Sequence, residues 1–93
     1  MTIERAIRVP KVSMYCSARC SYCVAAERFL VAKGVADIEK IRVDLQPERL
    51  QEMMEKTRRR TVPQIYINEV HVGGYDDLVA WDRAGRLAGL LHG

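Results

Sequence analysis

Apolar and polar positions along the chain repeat with two periods, one of strands and one of helices. Val12, Met14 and Cys16 alternate with Ser13 and Tyr15, which predicts a strand. From Tyr22 to Lys33 the residues Tyr22, Ala25, Ala26, Phe29 and Leu30 fall on one helical face, and Gly34 supplies a stop. Ile41, Val43 and Leu45 alternate with Arg42 and Asp44, predicting a second strand. Pro47 suits the first turn of a helix whose Leu50, Met53 and Met54 share a face, the two methionines filling core rather than binding a ligand. Gln64 to Ile67 and Val70 to Val72 are short apolar runs around Asn68-Glu69. That pair reads as a tight hairpin turn, in which Asn68 tolerates positive φ and Glu69 is an unusual second residue. Gly73-Gly74 breaks the second run. Asp76-Asp77 then stand at the start of a helix carrying Leu78, Val79 and Trp81, and Leu87, Leu90 and Leu91 continue its stripe to the end.

The predicted order is βαβ, helix, ββ, helix. A right-handed βαβ crossover joined to a hairpin gives an α/β domain, a four-stranded mixed sheet with helices on both faces. A chain of 93 residues makes one domain and cannot supply a second core. No repeat, linker or low-complexity segment interrupts it, and residues 1–8 read as a short N-terminal arm.

Charge narrows the partners. Lys and Arg exceed Asp and Glu by 15 to 12, a net charge of +3. So mild an excess suits a small anionic ligand better than nucleic acid, which calls for a denser basic stripe. No run is long and apolar enough to span a membrane, and Met1 to Pro10 lacks the pattern of a secretory signal. The expectation is a cytoplasmic protein whose thiols are kept reduced.

Cys20-Ser21-Tyr22-Cys23 carries the chemistry. It lies where the first strand gives way to the first helix, so Cys20 meets unpaired N–H groups and the positive end of the helix dipole. Both favour a thiolate, and Arg19 adds a nearby charge. Cys20 is therefore the expected nucleophile and Cys23, one turn on, the resolving thiol. Zinc sites share this spacing, and three cysteines with two histidines make a Cys3His set arithmetically possible, but no second C-x-x-C or paired-histidine motif supports it. With Cys16 added, the spacing also resembles the cluster-binding signature of radical S-adenosylmethionine enzymes, whose large partial barrel this chain is too short to build.

Two distant segments complete the motif. Arg60-Thr61-Val62-Pro63-Gln64-Ile65-Tyr66-Ile67 opens the third strand, and Gly73-Gly74-Tyr75-Asp76-Asp77-Leu78 follows the fourth. Together with Cys20-Ser21-Tyr22-Cys23, in this order and spacing, they resemble the glutaredoxin family from about Lys11 to Leu91, and dithiol bacterial-type members especially. The resemblance implies a thioredoxin-like fold (β-α-β-α-β-β-α) and a glutathione-dependent thiol–disulfide oxidoreductase. Glutathione is then the cosubstrate, and disulfide-containing or glutathionylated proteins are the clients. The implied glutathione site comprises Tyr22, Arg59, Arg60, Thr61, Val62, Pro63, Gly74, Tyr75, Asp76 and Asp77.

Each role has a physical basis. Pro63, if cis, faces the cysteines and leaves the Val62 backbone to pair with an extended peptide such as glutathione; an ordinary strand-start proline is the alternative. Gly73-Gly74 allows a ligand close to the backbone. The N–H groups of Tyr75 and Asp76 suit the γ-glutamyl carboxylate, while Asp77 or Asp76 takes the ammonium, caps the helix, or does both. Arg59 or Arg60 offers a cation to the glycine carboxylate unless Arg58-Arg59-Arg60 is simply a solvated run. Tyr22 walls the groove. His71 belongs to a surface strand and Trp81 to helix packing.

Three positions depart from the family pattern. Ser21 stands where proline is commonest, and some members with Cys-Ser-Tyr-Cys resemble iron–sulfur carriers. The alternative function is accordingly a dimer bridging a [2Fe–2S] cluster through Cys20 and glutathione, against a monomeric oxidoreductase. Ser17 replaces a lysine that contacts the ligand in many members. Cys16 reads as a small buried residue ending the first strand, or as an extra thiol able to trap Cys20 or lend a cluster ligand.

Overall fold

The computed structural model describes residues 9–92, and the arm expected at 1–8 lies outside them. The elements are β1 (Val12–Cys16), α1 (Ser21–Ala32), β2 (Glu39–Arg42), α2 (Pro47–Thr57), β3 (Gln64–Ile67), β4 (Val70–Gly73), α3 (Tyr75–Arg83) and α4 (Leu87–His92). The strands form one mixed sheet in the order β2-β1-β3-β4. β1 and β2 are parallel, while β1–β3 and β3–β4 are antiparallel.

Two cores lie on opposite faces of this sheet. On one, Val12, Met14, Ile65, Ile67 and Val72 pack with Ala26 and Leu30 of α1, Leu78 of α3 and Leu87 and Leu91 of α4. On the other, Tyr15 and Ile41 pack with Met53 of α2, flanked by Leu50, Met54 and Tyr66. Both methionines of α2 thus belong to packing, as expected. Tyr15, the polar half of the β1 alternation, is buried as well, because α2 covers its face; its hydroxyl bonds Glu52.

Element ends follow local chemistry. Gly34, at φ +96, closes α1 with paired bonds from Gly34 N–H to Val31 O and from Val35 N–H to Leu30 O, the Schellman arrangement. Pro47 occupies the first turn of α2, and Arg58, in a left-handed conformation at φ 59, caps its end. The first arginine of the basic run is therefore a helix terminator. In the hairpin both Asn68 (φ 50) and Glu69 (φ 68) are left-handed, the requirement of a type I′ turn. Asn68 holds that geometry by accepting from Lys11 N–H and donating through Nδ2 to Leu90 O.

Three expectations need correction. The second strand runs over Glu39–Arg42 rather than through Leu45. Val43 N–H still reaches Cys16 O, but Leu45 and Gln46 N–H turn back to Arg42 O, and Leu45 ends 68% exposed. An Arg42–Asp44 fork at 2.7 and 2.6 Å fixes this turn. The C-terminal helical stripe is two helices, since Gly85 and Arg86 N–H bond back to Asp82 O and Trp81 O before α4 begins. His71 is half-buried: its ring stacks on Tyr66 with centroids 5.0 Å apart.

The pairing brings the motif segments together. Tyr15 at the end of β1 faces Gln64 at the start of β3, and Ile65 faces Gly73 at the end of β4. The residues after β1, before β3 and after β4 consequently share one end of the sheet.

Candidate active site

Cys20 is the N-cap of α1, with extended backbone at φ −115 and ψ 102. Its Sγ accepts the Cys23 N–H at 3.2 Å, as a serine or aspartate oxygen would at this position. The same sulfur lies 3.7 Å from Val62 O, to which the thiol donates. Cys20 is partly exposed, whereas Cys16 and Cys23 are buried. Burial, with contact to the Cys20 sulfur second, pushes the Cys23 thiol up to about 12. Burial also raises Cys16, against the pull of Arg42 and Lys40. Cys20 is the accessible thiol of the three, and Cys23 is kept protonated behind it.

The Val62–Pro63 peptide bond is cis, as the resemblance implied, and it turns Val62 O toward Cys20. Among the described residues the Val62 N–H has neither a backbone nor a side-chain acceptor. Thr61 is exposed beside it. The loop after β4 abuts this one: a Cβ on Gly74 would stand 3.4 Å from Pro63 O.

Asp77 is the hinge of the third segment. Its Oδ2 accepts from Gly74 N–H at 2.9 Å and from the Arg59 guanidinium at 2.8 Å. The Arg59 bond first, then the Gly74 N–H, holds its carboxyl below the usual carboxylate range. Helix capping and cation binding thus meet in one carboxylate. Asp76 is exposed and has no such bond among the described residues. Gly73 makes room for this carboxylate: at φ +114, a Cβ there would lie 2.7 Å from Asp77 Cγ. Arg59 is anchored twice, since Thr57 Oγ1 accepts its N–H at 3.0 Å while donating to Met53 O at 2.7 Å. Arg60 is exposed.

Tyr22 is 60% exposed, and its ring lies 6.1 Å from that of Tyr75, which meets Phe29 edge-on. The Phe29 and Tyr75 rings border an open groove of about 650 Å³, lined also by Ser21, Val24, Ala25 and Arg28. Among the described residues no group of three His, Cys, Asp or Glu side chains is placed to hold a metal ion, so the Cys3His set has no counterpart there. No helix among them is long and apolar enough to cross a membrane.

Sequence reasoning missed two supporting residues. Asp44 Oδ2 accepts the Ala18 N–H, tying the Ser17–Arg19 loop ahead of Cys20 to the end of β2, and the Arg42 guanidinium holds its carboxyl down at about 2. Gln64 is fully buried, a polar side chain in an apolar run, and that mismatch was the available signal.

A dithiol at a helix N-terminus, facing a cis-proline loop at one end of a four-stranded mixed sheet, defines a thioredoxin-like redox protein. The glutaredoxin family model matches residues 12–72, and the chain belongs to the glutaredoxin family. It is 48% identical over 81 residues to a glutaredoxin of Neisseria meningitidis, covering 87% of this chain and 95% of the relative. Among solved structures it resembles the glutaredoxin of Brucella melitensis, 40% identical with a TM-score of 0.78 over 90% of each chain. It also resembles a buckwheat glutaredoxin–glutathione complex, 25% identical with a TM-score of 0.80, covering 88% of this chain and 76% of that one.

Proposed function

We propose that this chain, acting as a single domain in the cytoplasm, reduces glutathione-mixed disulfides and protein disulfides through Cys20. The observation that carries this is the placing of the accessible Cys20 sulfur against Val62 O, beside a free Val62 N–H and the Gly74–Asp77 turn. A γ-Glu-Cys-Gly tripeptide fits that arrangement by chemistry. Its cysteine backbone pairs with Val62 as a short added strand. Its γ-glutamyl carboxylate meets the N–H groups at the start of α3, from Tyr75 and Asp76. Asp77 attracts its ammonium, Arg59 and Arg60 with Thr61 flank its glycine carboxylate, and Tyr22 walls the groove.

In the first step the Cys20 thiolate attacks the glutathione sulfur of a client mixed disulfide. A Cys20–glutathione disulfide forms and the client leaves as a thiolate, which takes up a proton. A second glutathione thiolate then attacks the glutathione sulfur held on Cys20, giving glutathione disulfide and free Cys20 thiolate. On a protein disulfide, Cys20 forms a mixed disulfide with the client. Cys23 loses its proton to the leaving sulfur and displaces the client, leaving a Cys20–Cys23 disulfide for glutathione to reduce. A raised Cys23 thiol supports this order, because it stays silent until a disulfide is within reach.

A glutathione-coupled assay with a glutathionylated peptide and a protein disulfide tests the assignment. Cys20→Ser should abolish both activities and Cys23→Ser should spare the first; deglutathionylation that survives in Cys20→Ser sinks it. The cluster-carrying alternative rests on Ser21, exposed at the first position of α1, and on Cys20 as this chain's contribution to a shared ligand set. Anaerobic reconstitution with iron, sulfide and glutathione removes it if neither visible absorbance nor a dimer appears.

A further inference from the structure

Gln64 opens β3 one residue after Pro63, and its side chain is fully buried. Its Nε2 donates to Thr61 O at 3.0 Å and lies 3.4 Å from Thr61 Oγ1. Its Oε1 is 2.8 Å from Nε2 of His71 on the neighbouring strand. The amide has one workable orientation here, because the reverse would set two acceptors against each other at Thr61 O. Once it is fixed, His71 must carry its proton on Nε2 to donate to Oε1. The imidazole is itself clamped, stacked on Tyr66, whose ring lies 4.5 Å from the Lys56 ammonium.

Thr61 C=O and Val62 N–H belong to one planar trans peptide, in which the two groups point in opposite directions. Drawing the Thr61 carbonyl inward to Gln64 therefore turns the Val62 N–H outward, to the side where it has no partner among the described residues. We propose that Gln64, oriented by His71, is a positioning residue that aims the Val62 N–H at the backbone of bound glutathione. This inference rests on the glutathione assignment of the Val62 loop. It adds that recognition there is set from β4, through a side chain that touches no ligand.

The test uses the full chain with Gln64→Met, which keeps length and loses both bonds, and His71→Phe, which keeps the stack and loses the donor. For Gln64→Met, KM for a glutathionylated peptide should rise about tenfold, the cost of a misdirected hydrogen bond, while kcat changes less than about twofold. His71→Phe should shift KM the same way by a smaller factor. In the unmodified protein, nitrogen NMR should find His71 protonated on Nε2, and glutathione should shift the Val62 amide resonance. A folded Gln64→Met variant with unchanged KM overturns the proposal, and so does a His71 protonated on Nδ1. If Gln64→Met does not fold, the His71 tautomer and the Val62 resonance still decide it. Absence of any glutathione-dependent exchange in the unmodified protein sinks the site assignment instead, a result separable from a failure of the relay alone.

Discussion

Gly73→Ala is the sharpest probe of how the fold builds the site. At φ +114 the residue sits where L side chains are strained, and the added Cβ meets Asp77 Cγ at 2.7 Å and Asp77 Cβ at 2.9 Å. The conformational term alone costs about 1–2 kcal/mol. The Asp77 side chain must also move, giving up its bond to Gly74 N–H, a cap worth about 1 kcal/mol. The Arg59 ion pair adds little, at most about 0.5 kcal/mol, because its side chains are 46% and 41% exposed. The total is about 2–3.5 kcal/mol, a large share of the roughly 5–15 kcal/mol typical of a domain. Guanidinium unfolding followed by circular dichroism reads this directly, and the thermal midpoint should fall by about 10–25 °C. In an Asp77→Ala background the carboxylate terms vanish, so the same glycine change should cost about 1 kcal/mol less. A loss below about 1 kcal/mol in the original background refutes the reasoning.

Other outcomes follow from neighbouring contacts. On limited alkylation of the reduced protein near neutral pH, Cys20 should be labelled first, with Cys16 and Cys23 modified only after denaturant is added; simultaneous labelling would contradict the burial that raises both thiols. Thr57→Val should cost about 1–2 kcal/mol in chemical denaturation, since the buried hydroxyl satisfies both Met53 O and the Arg59 N–H. Asp77 is held low in the folded state, against about 3.9 when unfolded. Its ionised form therefore favours folding above that pH, and the benefit is lost as pH falls through the folded value. The stability difference between the unmodified protein and Asp77→Asn should be flat above about pH 5 and close below about pH 4; a gap that widens on acidification would reverse the sign. His71 is held down by burial and by Arg59, so its neutral form favours folding above about pH 6.5, a contribution lost on acidification through its lower folded value.

Element order, the hairpin turn and the three site segments were legible in the sequence because each is written locally. Cys20 follows a strand-period run, Asn68-Glu69 separates two others, and Pro63 and Gly73-Gly74 punctuate known positions. What escaped depends on elements meeting. The alternation through Val43 and Leu45 is real in the sequence, yet the Arg42–Asp44 fork and the return to Arg42 O end β2 before them. Tyr15 reads as the polar side of β1 until α2 is laid over it. Gln64 acquires meaning only when β4 brings His71 alongside and the Thr61 loop folds back. The capping role of Asp77 could be named from sequence, but its sharing of one oxygen between Gly74 and Arg59 could not.

The capping sulfur ties chemistry to the helix that presents it. Throughout the free state, Cys20 Sγ serves as the acceptor that closes the first turn of α1 through the Cys23 N–H. A sulfur in a disulfide carries no hydrogen and is only a weak acceptor, so on loading the bond to Val62 O is given up and the one that closes this turn weakens. Releasing the sulfur as a free thiol restores both contacts. One sulfur atom thus joins the redox state of the site to the first turn of α1.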